Sequence, residues 1–288
     1  MLKVKFEFLK NQGNTMRESL RELRTNIRFC GDDIKTILFT SVMPNEGKST
    51  IVMDLARSLV QAGNRVLVID TDMRKSVLVG RLKVKREDGG TIYGLSHLLS
   101  GQRELVDVVY ETQSSRLMAI FAGPAVVNPT ELLENKYFTK LMTSVRKLFD
   151  YILVDCAPLG AAIDAAVVAK DCDGAIIVIS QGEVSSRSVV NVKEQLEASG
   201  VRILGAVLNK VDMHRNSYYG RYYGKYYGKY YGKYYGNENE EIKLKRKEQY
   251  KEKTIDQNAL KSASDEIFKE DYDEADAADE EGAADNGR

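Results

Sequence analysis

Ile37-Leu38-Phe39-Thr40-Ser41-Val42-Met43-Pro44-Asn45-Glu46-Gly47-Lys48-Ser49-Thr50 is the stretch around which the rest of the chain is organised. An apolar run of strand length stops at Ser41, and a short irregular segment follows. Gly47-Lys48-Ser49-Thr50 then opens a run of helical character from Ile51 to Gln61. Strand, loop and helix in that order are the setting in which a phosphate loop works. There, backbone N–H groups and the helix N-terminus point at an anion. Lys48 adds a mobile positive charge, and the Ser49 hydroxyl is suited to Mg²⁺. The pattern G-x-x-x-x-G-K-[ST] lacks its first glycine, which is Val42 here, so the stretch taken alone reads equally as an ordinary helix start.

Two further stretches decide between these readings. Val66-Leu67-Val68-Ile69 ends in Asp70-Thr71-Asp72-Met73-Arg74, and Tyr151-Ile152-Leu153-Val154 ends in Asp155-Cys156-Ala157-Pro158. In an open parallel sheet, ligands bind beyond the carboxyl ends of the strands. One Asp at a strand end reads as a turn or helix cap. Asp70, Asp72 and Asp155 at two strand ends, beside Gly-Lys-Ser, read as carboxylates for a metal–phosphate complex. Nucleotide binding follows, with Met43, Pro44, Asn45, Glu46, Gly47, Lys48, Ser49 and Thr50 as the binding loop.

A chain of 288 residues fits one α/β domain and an appendage, and 43% hydrophobic content is enough for a sizeable core. The formal charge of zero hides an asymmetry: residues 237–288 carry 17 acidic and 9 basic residues, so the preceding part is net positive. Cys30, Cys156 and Cys172 have no paired spacing, which argues against a disulfide framework or a zinc site. No signal peptide and no apolar run of membrane-spanning length is present, so the expectation is a cytosolic protein brought to a membrane only by a partner.

Elsewhere the chain reads as an irregular or weakly strand-forming arm over 1–14 and a helix over Thr15–Phe29, with Thr15 and Glu18 as a capping box. Strands follow at 66–70, 117–122, 151–155, 174–180 and 201–209. Helices are expected at 130–149, 161–170 and 186–199, with short helical patches near 95–99 and 104–110. Alternating strands and helices predict a mostly parallel central sheet flanked by helices. From Tyr218 to Gly236 the chain is a strict Tyr-Tyr-Gly-[Arg/Lys] repeat. Recurrent Gly disfavours helix, and the residues read as an exposed aromatic tract, a nucleic-acid arm or a set of tyrosine acceptors. Residues 237–288 read as a charged, disordered tail, with a transient helix over 240–253.

Together these residues resemble the bacterial tyrosine kinases of capsule and exopolysaccharide synthesis, in the cytoplasmic-subunit form. The likeness covers about residues 14–236. Ser41-x-x-Pro44-x-Glu46-Gly47-Lys48-Ser49 is similar to the family's Walker A, with Asn45 where a Gly is usual. Asp70-Thr71-Asp72-Met73-Arg74 resembles its Walker A′ motif and Asp155-Cys156-Ala157-Pro158 its Walker B. Glu18-x-x-Arg21-x-x-Arg24 is similar to the helix through which such kinases form rings. Pro124 and Asn128-Pro129-x-Glu131-Leu132-Leu133 resemble a family loop.

The resemblance implies a P-loop kinase core over 36–212, an arm and oligomerisation helix over 1–35, the repeat over 213–236 and the tail over 237–288. It implies ATP and Mg²⁺, with Lys48 stabilising the transferred phosphoryl group and Ser49, Asp72 and Asp155 around the metal. Asp70 is the candidate base for the tyrosine hydroxyl, and Asp70 and Asp72 could exchange roles. Tyr218, Tyr219, Tyr222, Tyr223, Tyr226, Tyr227, Tyr230, Tyr231, Tyr234 and Tyr235 become the acceptors, modified in trans within a homo-oligomeric ring. The implied partners are a transmembrane activator of the polysaccharide co-polymerase kind and an opposing tyrosine phosphatase, with no nucleic acid. A partition- or septum-type ATPase switch is the alternative, although its second signature lysine is absent at Ser41-Val42-Met43.

Overall fold

The computed structural model describes residues 1–7, 12–212 and 255–269. The tyrosine repeat, the expected helix over 240–253 and the extreme C-terminal residues lie outside the described residues. Among those described, nine strands form one sheet in the order β4-β1-β5-β6-β3-β7-β2-β8-β9. They are β1 (Leu2–Phe6), β2 (Thr36–Ser41), β3 (Val66–Asp70), β4 (Val84–Arg86), β5 (Val109–Glu111), β6 (Leu117–Ile120), β7 (Tyr151–Asp155), β8 (Gly174–Ser180) and β9 (Ile203–Asn209). The run from β6 to β9 is parallel throughout. At the other margin β5 is antiparallel to β6, and β4 is antiparallel to β1.

Continuous apolar runs make the central strands, because helices cover both faces and leave no solvent side. Every residue of β2 is buried. On one face lie α1 (Asn14–Phe29), α2 (Lys48–Gln61) and α3 (Leu78–Leu82), which pack with Phe39, Val68 and Leu153. On the other lie α4 (Leu95–Leu99), α5 (Leu105–Val108), α6 (Pro129–Glu134), α7 (Lys136–Arg146), α8 (Asp164–Ala169) and α9 (Ser186–Ala198), with Leu38, Ile69 and Val154. Each fully buried Leu or Ile contributes about 1.5–3 kcal/mol relative to exposure. The mostly parallel, two-faced sheet expected from the sequence is the fold observed.

Several boundaries differ from expectation, each for a local reason. The N-terminal arm is a true strand: Val4 and Phe6 point inward at 1% and 5% exposure while Lys3 and Lys5 point out. The capping box does not form. Helix α1 begins at Asn14 behind Gly13 with no side-chain cap, and Glu18 instead pairs with Arg21 at 2.8 Å. The long helix expected over 130–149 is two, because Asn135 is extended and its side chain caps α7 by accepting from the Tyr137 N–H at 3.3 Å. The helix expected over 161–170 shortens to α8.

The largest difference lies in the stretch read as a disordered tail. Residues 257–269 form a helix, α10, whose Leu260, Ala263 and Ile267 join the core at 2%, 5% and 0% exposure. Their 3–4 spacing supplies an apolar stripe within a charged composition.

Candidate active site

Strand β2 delivers the loop, and two backbone turns in the left-handed region shape it. Gly47 has φ of 91°, which glycine adopts freely. Asn45 has φ of 68°, and Asn is among the few side-chain-bearing residues that visit this region readily. The usual Gly is therefore replaced by a residue able to hold the same conformation. Val42, at the other departure from the pattern, packs into the core at 5% exposure. Its carbonyl lies so close to Gly160 that any side chain there would collide, at 2.2 Å from a Cβ.

Glu46 is the internal brace of the loop. Its carboxylate is fully buried and accepts from the Met43 N–H at 2.8 Å and the Ser180 N–H at 3.1 Å. Its backbone carbonyl accepts from the Asn209 side-chain amide at 2.8 Å. Of the eight expected nucleotide-loop residues, Glu46 thus turns its side chain inward, while Met43, Pro44, Asn45 and Thr50 are exposed. Lys48 and Ser49 begin α2, whose N-terminus faces the strand ends.

Strands β3 and β7 bring Asp70 and Asp155 to the same sheet edge. Strand β7 lies between β2 and β3, so Asp155 pairs in register with Phe39 on one side and Asp70 on the other. Asp70 is 1% exposed; its oxygens accept from the Asp72 N–H at 3.1 Å and from the Ser76 hydroxyl. Burial, then the Asp155 charge, push its carboxyl well above the usual range. Burial pushes Asp155 up to about 6, against the opposing pull of the Ser49 hydroxyl and Lys48. Asp72 is half-buried and accepts from the Lys75 N–H at 2.9 Å.

Asp155 Oδ1 is buried and has no hydrogen-bond partner. A buried orphan oxygen beside a serine hydroxyl suits a hard cation. Among the described residues no three His, Cys, Asp or Glu side chains are grouped to hold a metal by themselves. That donor set fits Mg²⁺, which takes one or two carboxylates and completes its shell with phosphate oxygens and water.

Asp164 and Thr130 are partners of the Walker A′ arginine that the sequence does not mark. Arg74 forks onto Asp164, with Nε–Oδ2 at 2.6 Å and Nη2–Oδ1 at 2.9 Å, and Thr130 adds a hydroxyl bond to Asp164 at 2.7 Å. Burial raises the Asp164 carboxyl, but the Arg74 and Thr130 bonds outweigh it and hold the group below the usual range. The segment after β3 is thereby fixed to α8 and α6. Cys156 is buried, and burial pushes its thiol far up, which rules it out as a reactive thiolate.

The row of charges expected on α1 is only partly a row. Glu18 and Arg21 form an exposed pair, whereas Arg24 is half-buried and donates to the Ser58 carbonyl of α2 at 2.6 Å. Among the described residues no helix is long and apolar enough to cross a membrane.

Loop, helix N-terminus and carboxylate edge define a P-loop nucleotide-binding protein. A family model described as an AAA domain matches residues 35–210. The chain is 44% identical over 201 residues to the tyrosine-protein kinase CpsD of Streptococcus agalactiae serotype III (strain NEM316), covering 70% of this chain and 85% of that kinase. It is 42% identical over 214 residues to the CpsD tyrosine-protein kinase of Streptococcus pneumoniae, covering 74% and 91%. The kinase domain of the Escherichia coli tyrosine kinase ETK matches with a TM-score of 0.62 at 28% identity, over 68% of this chain and 77% of that one. The chain belongs to the bacterial tyrosine-protein kinases, and its enzyme class is that of a protein-tyrosine kinase.

Proposed function

We propose that this kinase uses ATP to phosphorylate the tyrosines of its own 218–235 repeat, in trans within a ring, and so regulates capsule or exopolysaccharide synthesis. The observation that carries the reading is the convergence at one sheet edge of Lys48, Ser49, Asp70 and Asp155. The repeat begins shortly after Asn209, whose side chain supports the nucleotide loop, so the acceptor stretch is rooted beside the site.

In the proposed reaction a tyrosine Oη attacks the γ-phosphorus of ATP, and the bond to the ADP oxygen breaks. The hydroxyl proton passes to Asp70, whose raised proton affinity suits it to accept from a phenol of pKa near 10. The Ser76 hydroxyl must turn away for this, so Asp72, more open, is the alternative base. Lys48 and the α2 N-terminus stabilise charge on the transferred group. Ser49, Asp72 and Asp155 would hold Mg²⁺, which would supply charge neutralisation to the phosphates.

A transmembrane activator would bring the kinase to the inner face of the membrane, and a tyrosine phosphatase would reset it. Each added phosphate brings about −1.5 to −2 charges, so a modified repeat would repel its neighbours and the carboxylate edge. The test is phosphotyrosine mapping by mass spectrometry after incubation with ATP–Mg²⁺, with and without an activator fragment. Lys48→Met should abolish labelling, and changing all ten repeat tyrosines to Phe should remove most of it while ATP hydrolysis persists. Phosphate mainly at Tyr93, Tyr110 or Tyr151 would overturn the assignment of the acceptor.

A further inference from the structure

Helix α10 lies outside residues 35–210, which match the family, yet it docks with more than an apolar stripe. The Ser264 hydroxyl, buried at 1% exposure, accepts from the Leu105 N–H at 3.1 Å. Leu105 is the first residue of α5, so α10 satisfies from a distance one of the free N–H groups at the start of that helix. Glu266 accepts from the Ser144 hydroxyl at 3.2 Å and pairs with Lys147 at 2.8 Å. The Phe268 ring rests on Tyr137, with centroids 5.2 Å apart. A buried stripe, a buried hydroxyl in register with an orphan donor and an aromatic contact, spread over two different helices, make a specific seat on α5 and α7.

We infer that α10 is an intramolecular clasp, and that the face formed by α5 and α7 is its docking site. Docking fixes the chain on both sides of the tyrosine repeat: one end at β9, where Asn209 meets the nucleotide loop, the other at α10. The segment of sequence that carries the repeat is therefore anchored to one subunit at both of its ends. A second anchor restricts a residue more the further it stands from the first along the chain. Tyr218 and Tyr219 follow Asp212 within a few residues of sequence, so the first anchor dominates their reach. Tyr234 and Tyr235 stand about midway between Asp212 and Ile255, where the clasp limits their reach towards another subunit most. Opening the clasp thus favours transfer between subunits at the distal tyrosines. This kinetic half rests on the proposed acceptor role of the repeat; the docking half does not.

The test uses the full chain with a site-specific protease sequence inserted within residues 241–250. After cleavage, size-exclusion chromatography should find the C-terminal fragment still bound to the core. In Leu260→Asp/Ile267→Asp it should be released, and in Ser262→Asp, on the exposed side, it should stay. Release from the otherwise unaltered chain overturns the clasp. For the kinetic half, inactive Lys48→Met chains with and without the Leu260→Asp/Ile267→Asp pair serve as acceptors for active enzyme. Opening should raise the rate at Tyr234 and Tyr235 about threefold or more, and at Tyr218 and Tyr219 by less than about 1.5-fold. Equal rates at all positions overturn the restriction of reach. If the unaltered enzyme labels no repeat tyrosine, the acceptor role fails, and fragment retention alone decides the docking.

Discussion

Asp70 and Asp155 stand directly opposite each other as register partners on the neighbouring parallel strands β3 and β7, both buried to 2% exposure or less. Like charges in that position disfavour joint ionisation, and desolvation adds to the effect. The unliganded site therefore tends to keep a proton at a pH where exposed carboxylates have lost theirs. A divalent cation with nucleotide reverses the preference by favouring the ionised forms.

The first prediction follows from the sign of that shift. Asp155 is raised to about 6 in the folded chain, against roughly 3.9 in an unfolded one. The stability gained from the bound proton is complete below the unfolded value and lost as pH rises through about 6. Asp155→Asn should therefore raise the stability of the nucleotide-free protein by up to about 3 kcal/mol above pH 7. Near pH 4 the gain should vanish, while transfer activity is lost throughout. Urea unfolding at both pH values measures it; an equal gain at both would contradict the account.

The second concerns the loop brace. Glu46→Ala leaves the buried N–H of Ser180 and the part-buried N–H of Met43 without their acceptor. Each such loss costs about 1–3 kcal/mol. Glu46→Gln turns an amide N–H₂ towards one of those donors and should recover only part of the loss. Nucleotide affinity should fall with stability in both variants, seen by calorimetric titration beside thermal unfolding. Unchanged affinity in Glu46→Ala would show that the loop holds its shape without the brace.

Arg74→Ala should destabilise the fold by about 1–3 kcal/mol, because Asp164 would keep its burial and lose its forked partner. Half-exposure of Arg74 keeps the figure at the low end of the range for broken buried pairs. Arg74→Lys should recover little, since one ammonium cannot make both bonds. Asp164 is held low, so this contribution is present at neutral pH and disappears as the carboxylate protonates on acidification. A destabilisation unchanged on acidification would sink this explanation.

For assembly, Glu18→Ala/Arg21→Ala is the cleaner probe than a triple change that includes Arg24. The exposed pair is worth at most about 0.5 kcal/mol within one subunit, whereas Arg24 also holds α2. If the proposed ring forms through this helix, the double variant should unfold at nearly the wild-type midpoint and scatter light as a smaller species. A ring of unchanged mass would leave the pair as an ordinary solvated contact.

Much of the fold was legible because its strands are short apolar runs that end in Asp or in the loop, and parallel burial writes itself as β-rich continuity. The N-terminal strand was also legible in Leu2, Val4 and Phe6, an alternation outweighed by its shortness. Helix α10 shows the limit of composition: Leu260, Ala263 and Ile267 carry the period, but neighbouring charges dominate any average over the tail. Lys48, Ser49, Asp70 and Asp155 were readable because local order alone brings them to one edge. The Asp164 partnership with Arg74 was not, since it depends on which helix crosses which strand end. Nor could Glu46 be told from a ligand-facing residue, because inward or outward rotation of one side chain leaves no trace in spacing.

Asn209 gives the molecule a mechanical linkage. Its amide reaches the Glu46 carbonyl, and it lies where any side chain on Gly47 would strike it, at 2.2 Å from a Cβ. The described residues of this segment end shortly afterwards, at Asp212, and the repeat follows in the sequence. Tension applied to the chain beyond Asp212 is met first by the Asp212 N–H bond to Gln181 and the Lys210–Glu183 pair, and reaches the nucleotide loop through Asn209 behind them. The side-chain amide resonance of Asn209 should move on adding nucleotide and move again when the chain beyond it is drawn to another subunit.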